Sequence, residues 1–227
     1  MIKRILALLL VAIFLSAGSF DAGAECKNVF RKNTHAEKKV ALTFDDGPHP
    51  RYTHRILEIL KKYDVRATFF VLGVNVDNYP DAFCEIVVSG CEIGNHTYSH
   101  KNVSDMSEAD ICCELEKTEA AIARHTSVKP KVLRPPQGAY GESLLNAVAD
   151  REYDIILWSI DTKDWDHNPP DRIYEKVMKS LDNGDIILMH DYVSSGNTTI
   201  LALEKMIPQM IALGYEFVTV SELISEK

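Results

Sequence analysis

The sequence predicts an α/β fold in which a parallel sheet curls into a closed or nearly closed barrel of about seven strand-helix units. Short apolar runs rich in β-branched and aromatic residues alternate with longer segments of helical spacing along the chain. Parallel strands need long crossovers, which helices usually supply. In addition, polar residues able to do chemistry follow the ends of these strands, where barrel enzymes keep their active sites.

The strands and helices are predicted from the spacing of apolar residues. The predicted strands are Val40–Phe44, Ala67–Leu72, Cys91–Gly94, Lys131–Leu133, Tyr153–Leu157, Asp185–Leu188 and Glu216–Val220. The predicted helices are Thr53–Lys62, Asp81–Val88, Ser107–His125, Glu142–Ala149, Asp171–Leu181 and Ile200–Leu213. In the longest helix, apolar and small residues recur every three or four positions, and Ser107 is a suitable N-cap.

Residues 1–24 are typical of a secretory signal. Lys3 and Arg4 precede the apolar run Ile5–Leu15, and Ala22 and Ala24 form a small-residue cleavage site. The apolar run is shorter than the ~20 residues of a spanning helix, so we expect no stable membrane span. The whole chain has 46% hydrophobic and 26% charged residues, which is typical of a globular protein. We predict one globular domain at residues 38–224. The expected location is secreted or in the periplasm or cell envelope.

The net charge limits the classes of binding partner, and the cysteine content bears on whether disulfides form. A net charge of −8 argues against nucleic acid as a partner and favours a neutral or cationic substrate. The five cysteines are Cys26, Cys84, Cys91, Cys112 and Cys113. In an exported protein they favour structural disulfides, although the spacing does not decide the pairing and the adjacent pair is too close to bond.

Two polar clusters carry the strongest chemical signal. Asp45 and Asp46 follow the first predicted strand, and His96 and His100 follow the third. Three of these side chains can bind one divalent metal with a position left for water, which leaves one carboxylate as a base. Adjacent residues on extended backbone point in opposite directions, so the two aspartates suit different tasks. Taken alone, each cluster also fits an ordinary surface loop.

Three further strand ends contribute side chains to the same predicted edge. Arg134 opens a rigid Pro-rich loop, and Asp164 is its candidate partner in an ion pair. That pair would either help to keep the catalytic carboxylate Asp45 charged or be an ordinary structural salt bridge. Trp165 suits an aromatic wall for a sugar or a core position. His190 ends an apolar strand as a candidate general acid, with Leu188 on the same face. The alternative for His190 is a core histidine satisfied by Asp191.

These motifs together resemble the NodB-homology polysaccharide deacetylases, carbohydrate esterase family 4. The likeness consists of Thr-Phe-Asp-Asp-Gly-Pro from Thr43, His-x-x-x-His from His96, Arg-x-Pro-x-Gly from Arg134, Asp-x-x-Asp-Trp from Asp161 and Leu-x-His from Leu188. The motifs occur in the family's order and span nearly the whole predicted domain.

The resemblance implies a distorted seven-stranded (β/α) barrel and a role for each matching residue. It makes Asp45 the base, His190 the acid, and Asp46, His96 and His100 the metal ligands, with Arg134 and Asp164 orienting the base. Trp165 and Leu188 would contact substrate, and the backbone N–H near Gln137, where many relatives have Tyr, would stabilise the oxyanion.

The implied reaction removes N-acetyl groups from peptidoglycan or chitin-like glycans rich in N-acetylglucosamine and releases acetate. One divalent ion is expected, with zinc first and cobalt, nickel or manganese as alternatives, since the ligands are oxygen and nitrogen. Two other functions stay open. The same chemistry would serve an O-acetyl polysaccharide esterase, and the same fold would serve a non-catalytic carbohydrate-binding protein.

Overall fold

The structure is a computed structural model that describes residues 29–192 and 197–227. The predicted signal segment 1–24 and Cys26 lie outside the described residues. Within these two ranges, no helix has the length and apolar character needed to cross a membrane.

The predicted parallel sheet is confirmed. Its strands are β1 (Val29–Phe30), β2 (Lys39–Asp45), β3 (Thr68–Val71), β4 (Glu92–Asn95), β5 (Val132–Leu133), β6 (Asp154–Ile156), β7 (Ile160–Asp161), β8 (Ile186–His190) and β9 (Glu216–Phe217). These strands pair in parallel in the order β1-β6-β5-β4-β3-β2-β8-β7, and β9 joins the start of β2. The sheet curls into a half-barrel, as expected for a distorted (β/α) barrel.

Helices connect the strands and cover the sheet. They are α1 (Tyr52–Lys62), α2 (Gly73–Asn78), α3 (Pro80–Val88), α4 (Glu108–Ala123), α5 (Glu142–Ala147), α6 (Pro170–Ser180), α7 (Thr198–Ala212) and α8 (Val220–Ser225). The predicted cap of α4 is confirmed, because the Ser107 side chain accepts a hydrogen bond from the N–H of Asp110.

Three short elements, one of them α2, and the last predicted strand differ from the sequence-based assignment, which contained no helix at the position of α2. β1 and β7 are two residues long, too short to show a period of two, and they were not predicted. The predicted strand Glu216–Val220 is wrong beyond Phe217, where the chain enters α8. A capping box between Thr219 and Glu222 satisfies the first N–H groups of α8 and so favours the helix.

β2 separates an apolar outer face from an inner face that becomes polar at the carboxyl end. In β2, Leu42 and Phe44 pack with the helices in the main core. The alternating residues Ala41, Thr43 and Asp45 therefore face the barrel interior. This alternation delivers a carboxylate to the upper end of the interior without interrupting the core beneath the helices.

The chain itself crosses the opening of the half-barrel between β6 and β7. The Leu157 N–H donates to the Phe30 carbonyl at one edge, and the Ser159 N–H donates to the Ile186 carbonyl at the other. Trp158 lies between these two bonds and approaches the Arg134 guanidinium, with 5.8 Å from Cζ to the ring centroid. A short crossing segment thus closes the barrel near the residues of the predicted site.

The expected disulfides are not formed among the cysteines of the described ranges. Cys84, Cys91, Cys112 and Cys113 are all free thiols. Cys112 is part of a local contact instead, with its Sγ 3.8 Å from the Ala147 carbonyl oxygen. The domain is therefore held by its apolar core, and the disulfide expectation is wrong for these four residues.

We expect Gly94→Ala to destabilise the protein, because a Cβ at this β4 position would lie 2.4 Å from Phe70 Cδ1 in the barrel interior. Overpacking of this kind costs about 1–3 kcal/mol, which urea denaturation resolves. Gly141→Ala is the matched control, since nothing lies within 4 Å of its added methyl group. A Gly94→Ala protein as stable as the control would contradict the packing described for the interior.

Candidate active site

The predicted site residues meet at one edge of the sheet. Asp45 ends β2 and is paired in register with His190, which ends β8. His96 directly follows β4, and Arg134 directly follows β5. Because these strands are parallel, their carboxyl ends lie on the same side, and the predicted convergence of the two polar clusters is confirmed.

The backbone at Asp46 turns the two adjacent carboxylates toward different partners. Asp45 continues the strand and points inward, where its Oδ1 accepts from Arg134 Nη1 at 2.7 Å. Asp46 adopts a left-handed conformation with φ 74°. The Asn75 side chain holds this turn by donating to the Asp46 carbonyl at 2.6 Å. A strained conformation held by a buried contact is typical of functional sites.

Asp46, His96 and His100 form a cluster able to bind a metal ion. Asp46 Oδ1 lies 3.5 Å from His96 Nε2 and 3.3 Å from His100 Nε2. One ligand atom from each residue lies within 4.8 Å of the other two. Asp46 Oδ1 is also buried without a hydrogen-bond partner, which is costly unless a cation binds there. The residues therefore fit a divalent ion held by one oxygen and two nitrogens.

The hydrogen bond of His96 selects the ring nitrogen that faces the ion. His96 Nδ1 lies 2.6 Å from the Arg134 carbonyl oxygen, which can only accept, so Nδ1 carries the proton. Nε2 then presents its lone pair toward Asp46 and His100, as a metal ligand must. Burial opposes charge on His96, but Asp45 and Asp46 outweigh it and raise the pKa of the ring. The same negative charge attracts a divalent cation.

Burial affects the other two ligands in different ways. It lowers the pKa of His100, which favours the neutral imidazole that can bind a metal. It acts to raise the pKa of Asp46, but contact with His96 and the nearby imidazoles outweighs burial and lowers that pKa. The lowered pKa keeps Asp46 as a carboxylate, the form that can bind a cation.

Arg134 is fully buried and holds the candidate base. Its guanidinium donates to Asp45 and to Thr43 Oγ1, both at 2.7 Å, and to the carbonyl oxygens of Ile156 and Leu157 at 3.3 and 3.0 Å. It also stacks over the Phe70 ring at 4.1 Å. Burial lowers the pKa of Arg134, which Asp45 counteracts. A guanidinium held by four hydrogen bonds and paired with a carboxylate fixes that carboxylate rigidly.

Asp164 pairs with His190 and not with Arg134, so the predicted Arg134–Asp164 partnership is wrong. Asp164 Oδ1 lies 2.8 Å from His190 Nδ1, while Oδ2 accepts from the His190 N–H and from Thr199 Oγ1. β7 lies next to β8, which brings the turn after β7 beside His190 and away from Arg134. Asp164 therefore orients the candidate acid.

The Asp164 carboxylate also sets the charge of His190. Burial acts to lower the pKa of His190, but the Asp164 hydrogen bond and the charges of Asp164, Asp45 and Asp46 raise it to about 9. The ring is therefore protonated at neutral pH and can donate from Nε2. The alternative in which Asp191 satisfies His190 is wrong, because Asp191 accepts from Thr53 Oγ1 instead.

The three predicted substrate residues lie around this edge. Leu188 is buried and pairs in register with Thr43, one inward position below His190. Trp165 is 49% exposed in the turn after β7. Gln137 is exposed in the turn after β5 and has a left-handed φ of 59°. The structure thus offers an exposed ring and a turn beside the cluster.

Several residues of the site were not predicted from the sequence. Thr43, Phe70 and Trp158 surround the Arg134 guanidinium, and Thr199 supports Asp164. Thr43 could have been found, since it lies two positions before Asp45 and faces the same interior. The other three come from distant strands and helices, and their local sequence gives no comparable signal.

The fold and the site together define a metal-dependent barrel hydrolase. The family model described as polysaccharide deacetylase matches residues 32–156. A peptidoglycan-N-acetylglucosamine deacetylase of Bacillus cereus is 35% identical over 193 residues, which are 84% of this chain and 90% of the relative. This chain belongs to the polysaccharide deacetylase family, and the predicted activity, removal of N-acetyl groups from a polysaccharide, is confirmed at the level of the family.

Solved structures agree with this assignment. A crystal structure of a peptidoglycan N-acetylglucosamine deacetylase in complex with 4-naphthalen-1-yl-N-oxidanyl-benzamide has a TM-score of 0.83 and 36% identity, covering 86% of this chain and 92% of that one. A pseudoenzyme of the same family from Bacillus anthracis has a TM-score of 0.82 and 34% identity, covering 88% and 70%. Because active and inactive proteins share the fold, activity must be argued from side chains.

Asp164→Asn should lower the pKa of His190 from about 9 toward its ordinary value, because the anionic acceptor at Nδ1 is lost. The protonated acid would then disappear at lower pH, and the basic limb of the activity profile would move down in pH. NMR titration of the metal-free protein measures this pKa directly. Asp166→Asn, on an exposed residue of the same turn, is the control. An unchanged His190 titration in Asp164→Asn would refute the pairing.

Proposed function

We propose that this protein is a zinc-dependent deacetylase that removes acetate from N-acetylglucosamine in peptidoglycan. The observation that carries the proposal is the meeting of a complete catalytic set at one edge of the barrel. An arginine-held carboxylate, a three-residue ligand cluster and a protonated histidine lie together there. The similarity to the Bacillus cereus peptidoglycan deacetylase supports the substrate.

The metal would be held by Asp46, His96 and His100. When bound, a divalent ion supplies Lewis acidity, which makes water more acidic and polarises the acetamide carbonyl. Two imidazoles and one carboxylate suit zinc, with cobalt, nickel and manganese as alternatives.

Asp45 would be the general base. Arg134 occupies its Oδ1 with a hydrogen bond, while its Oδ2 lies 3.7 Å from His96 Nε2, on the side of the ligand cluster. Oδ2 is therefore placed to take the proton of the attacking water as the oxygen adds to the acetamide carbon. The guanidinium keeps the carboxylate in position during this transfer.

His190 would be the general acid. The tetrahedral product of water addition collapses to acetate only if the carbon–nitrogen bond breaks, and the amine leaves readily only when its nitrogen is protonated. His190 Nε2 supplies that proton, because Asp164 holds Nδ1 and keeps the ring charged. The carbon–nitrogen bond then breaks, acetate leaves and the glycan keeps a free amine.

The rim residues would bind the sugar and its acetyl group. Trp165 offers an exposed aromatic face of the kind that stacks on sugar rings, and Leu188 offers an apolar contact for the acetyl methyl. A backbone N–H near Gln137 would donate to the oxyanion, with the left-handed turn setting its direction.

The proposed substrate also implies a location. Peptidoglycan lies outside the cytoplasm, and residues 1–24 carry the features of a secretory signal. We therefore propose export to the cell envelope or beyond, with residues 38–224 as the catalytic domain.

The proposal is tested by acetate release from peptidoglycan and from N-acetylglucosamine oligomers. We expect the chelated protein to be inactive and zinc or cobalt to restore release. His100→Ala should need far more metal for any activity, because a ligand is lost. His167→Ala, on an exposed histidine outside the cluster, should behave as wild type.

Two results would contradict the proposal. Deacetylation of acetylxylan without release from any N-acetylated glycan would indicate an O-acetyl esterase. Glycan binding with no acetate release from either substrate, at any metal concentration, would indicate a carbohydrate-binding protein such as an inactive family member.

A further inference from the structure

The two histidine ligands are held in position in different ways. His96 is buried, and its ring is fixed by the hydrogen bond to the Arg134 carbonyl. The His100 side chain is 35% exposed, and it contacts the other ligands Asp46 and His96. The place of His100 therefore depends strongly on the backbone that carries it. That backbone is the loop of residues 96–100, called the ligand loop below.

The ligand loop has a conformation that needs external support. Thr97 and His100 both adopt left-handed backbone angles, with φ 69° and 57°. A non-glycine residue in this region costs on the order of 1–3 kcal/mol and persists only where neighbouring contacts hold it. Thr97 is β-branched, which makes the conformation more costly still.

Glu114 on α4 supplies that support. This glutamate is buried, and its Oε2 accepts hydrogen bonds from the N–H groups of Tyr98 and Ser99 at 3.0 and 2.7 Å. The Ser99 hydroxyl lies 2.9 Å from both carboxylate oxygens. A carboxylate that binds two successive N–H groups fixes the backbone between them, and hydrogen bonds to an ionised acceptor are among the stronger ones.

Three other hydrogen bonds help to hold the ligand loop. Asn95 Oδ1 accepts from the Thr97 N–H at 2.8 Å, while its Nδ2 donates to the Leu115 carbonyl on α4. On the opposite side, the first two N–H groups of α2, at Gly73 and Val74, donate to the carbonyls of Thr97 and Tyr98 at 3.0 and 3.1 Å. Of these supports, Glu114 is the one that acts immediately before His100.

We propose that Glu114 is a positioning residue for metal binding, which holds the ligand loop so that His100 meets Asp46 and His96. The role rests on the proposed function for its metal site but adds a residue outside the ligand set. Residues that hold metal ligands through hydrogen bonds typically change metal affinity by about 10–100-fold when removed.

The test compares zinc dissociation constants, measured by competition with a chelator, for wild type and variants at Glu114. Glu114→Ala leaves the Tyr98 and Ser99 N–H groups without their acceptor, and we expect zinc affinity about 10–100-fold weaker. The aspartate side chain in Glu114→Asp is one methylene shorter, so this variant should also bind zinc more weakly than wild type. It replaces the alanine variant in the test if that variant does not fold. Glu114→Gln keeps an oxygen that can accept both N–H groups and should stay close to wild type.

Ile122→Ala is the matched control for a general loss of stability. Ile122 is buried on the same helix and belongs to the main core cluster, which includes no residue of the ligand loop. This variant should unfold at lower urea concentration and keep the wild-type zinc affinity.

Three outcomes distinguish the possibilities. Weaker zinc binding in the alanine and aspartate variants, with the glutamine variant and Ile122→Ala near wild type, supports the positioning role. Wild-type zinc affinity in Glu114→Ala, with stability reduced as in Ile122→Ala, would overturn it and leave the metal site intact. A wild-type protein that binds no zinc would overturn the proposed metal site and the positioning role together.

Discussion

The arrangement of the site depends on one buried cation, the Arg134 guanidinium. A buried charge is costly unless it is paired and hydrogen-bonded, and here the guanidinium donates four hydrogen bonds, to the Asp45 carboxylate, the Thr43 hydroxyl and two backbone carbonyls. The same residue holds His96 through its carbonyl oxygen. One residue after β5 therefore fixes the proposed base with its side chain and a proposed metal ligand with its backbone. A shift of Arg134 would disturb both tasks at once.

The pairing of Asp45 with Arg134 explains why two adjacent aspartates can act separately. The strand directs Asp45 into the barrel, and the left-handed turn at Asp46 directs the next carboxylate to the histidines. Asp46 keeps a buried, unbonded oxygen for a cation, while Asp45 has one oxygen committed to the guanidinium. The proposed acid has its own anchor in Asp164, separate from Arg134, which supports both the proposed base and His96.

Much of this arrangement could be predicted from the sequence, because long periodic segments and polar strand ends are local features. The strands, the main helices and the meeting of Asp46, His96 and His100 follow from that pattern. The resemblance already implied that Arg134 orients Asp45, but the partner of Asp164 could not be predicted, because it depends on which strand lies beside β7. Asp164 follows β7, whose pairing with β8 places it beside His190.

The short strands β1 and β7 and the hydrogen bonds that support the ligand loop could not be predicted from local sequence signals. β7 has no period to detect, and its position decides the partner of His190. Glu114 lies on α4, and its local sequence predicts a helix and nothing more. Its contacts with Tyr98 and Ser99 form only when the loop folds against the helix. The identity of the catalytic groups is thus local information, whereas their support is tertiary.

The division of labour between the two aspartates is tested most directly by measuring zinc affinity and acetate release on the matched variants Asp45→Asn and Asp46→Asn. The account predicts that Asp45→Asn keeps zinc affinity near wild type and loses turnover, because a base is removed and no ligand is. It predicts that Asp46→Asn binds zinc much more weakly. Loss of zinc from Asp45→Asn, or wild-type zinc affinity in Asp46→Asn, would contradict the assignment of base and ligand.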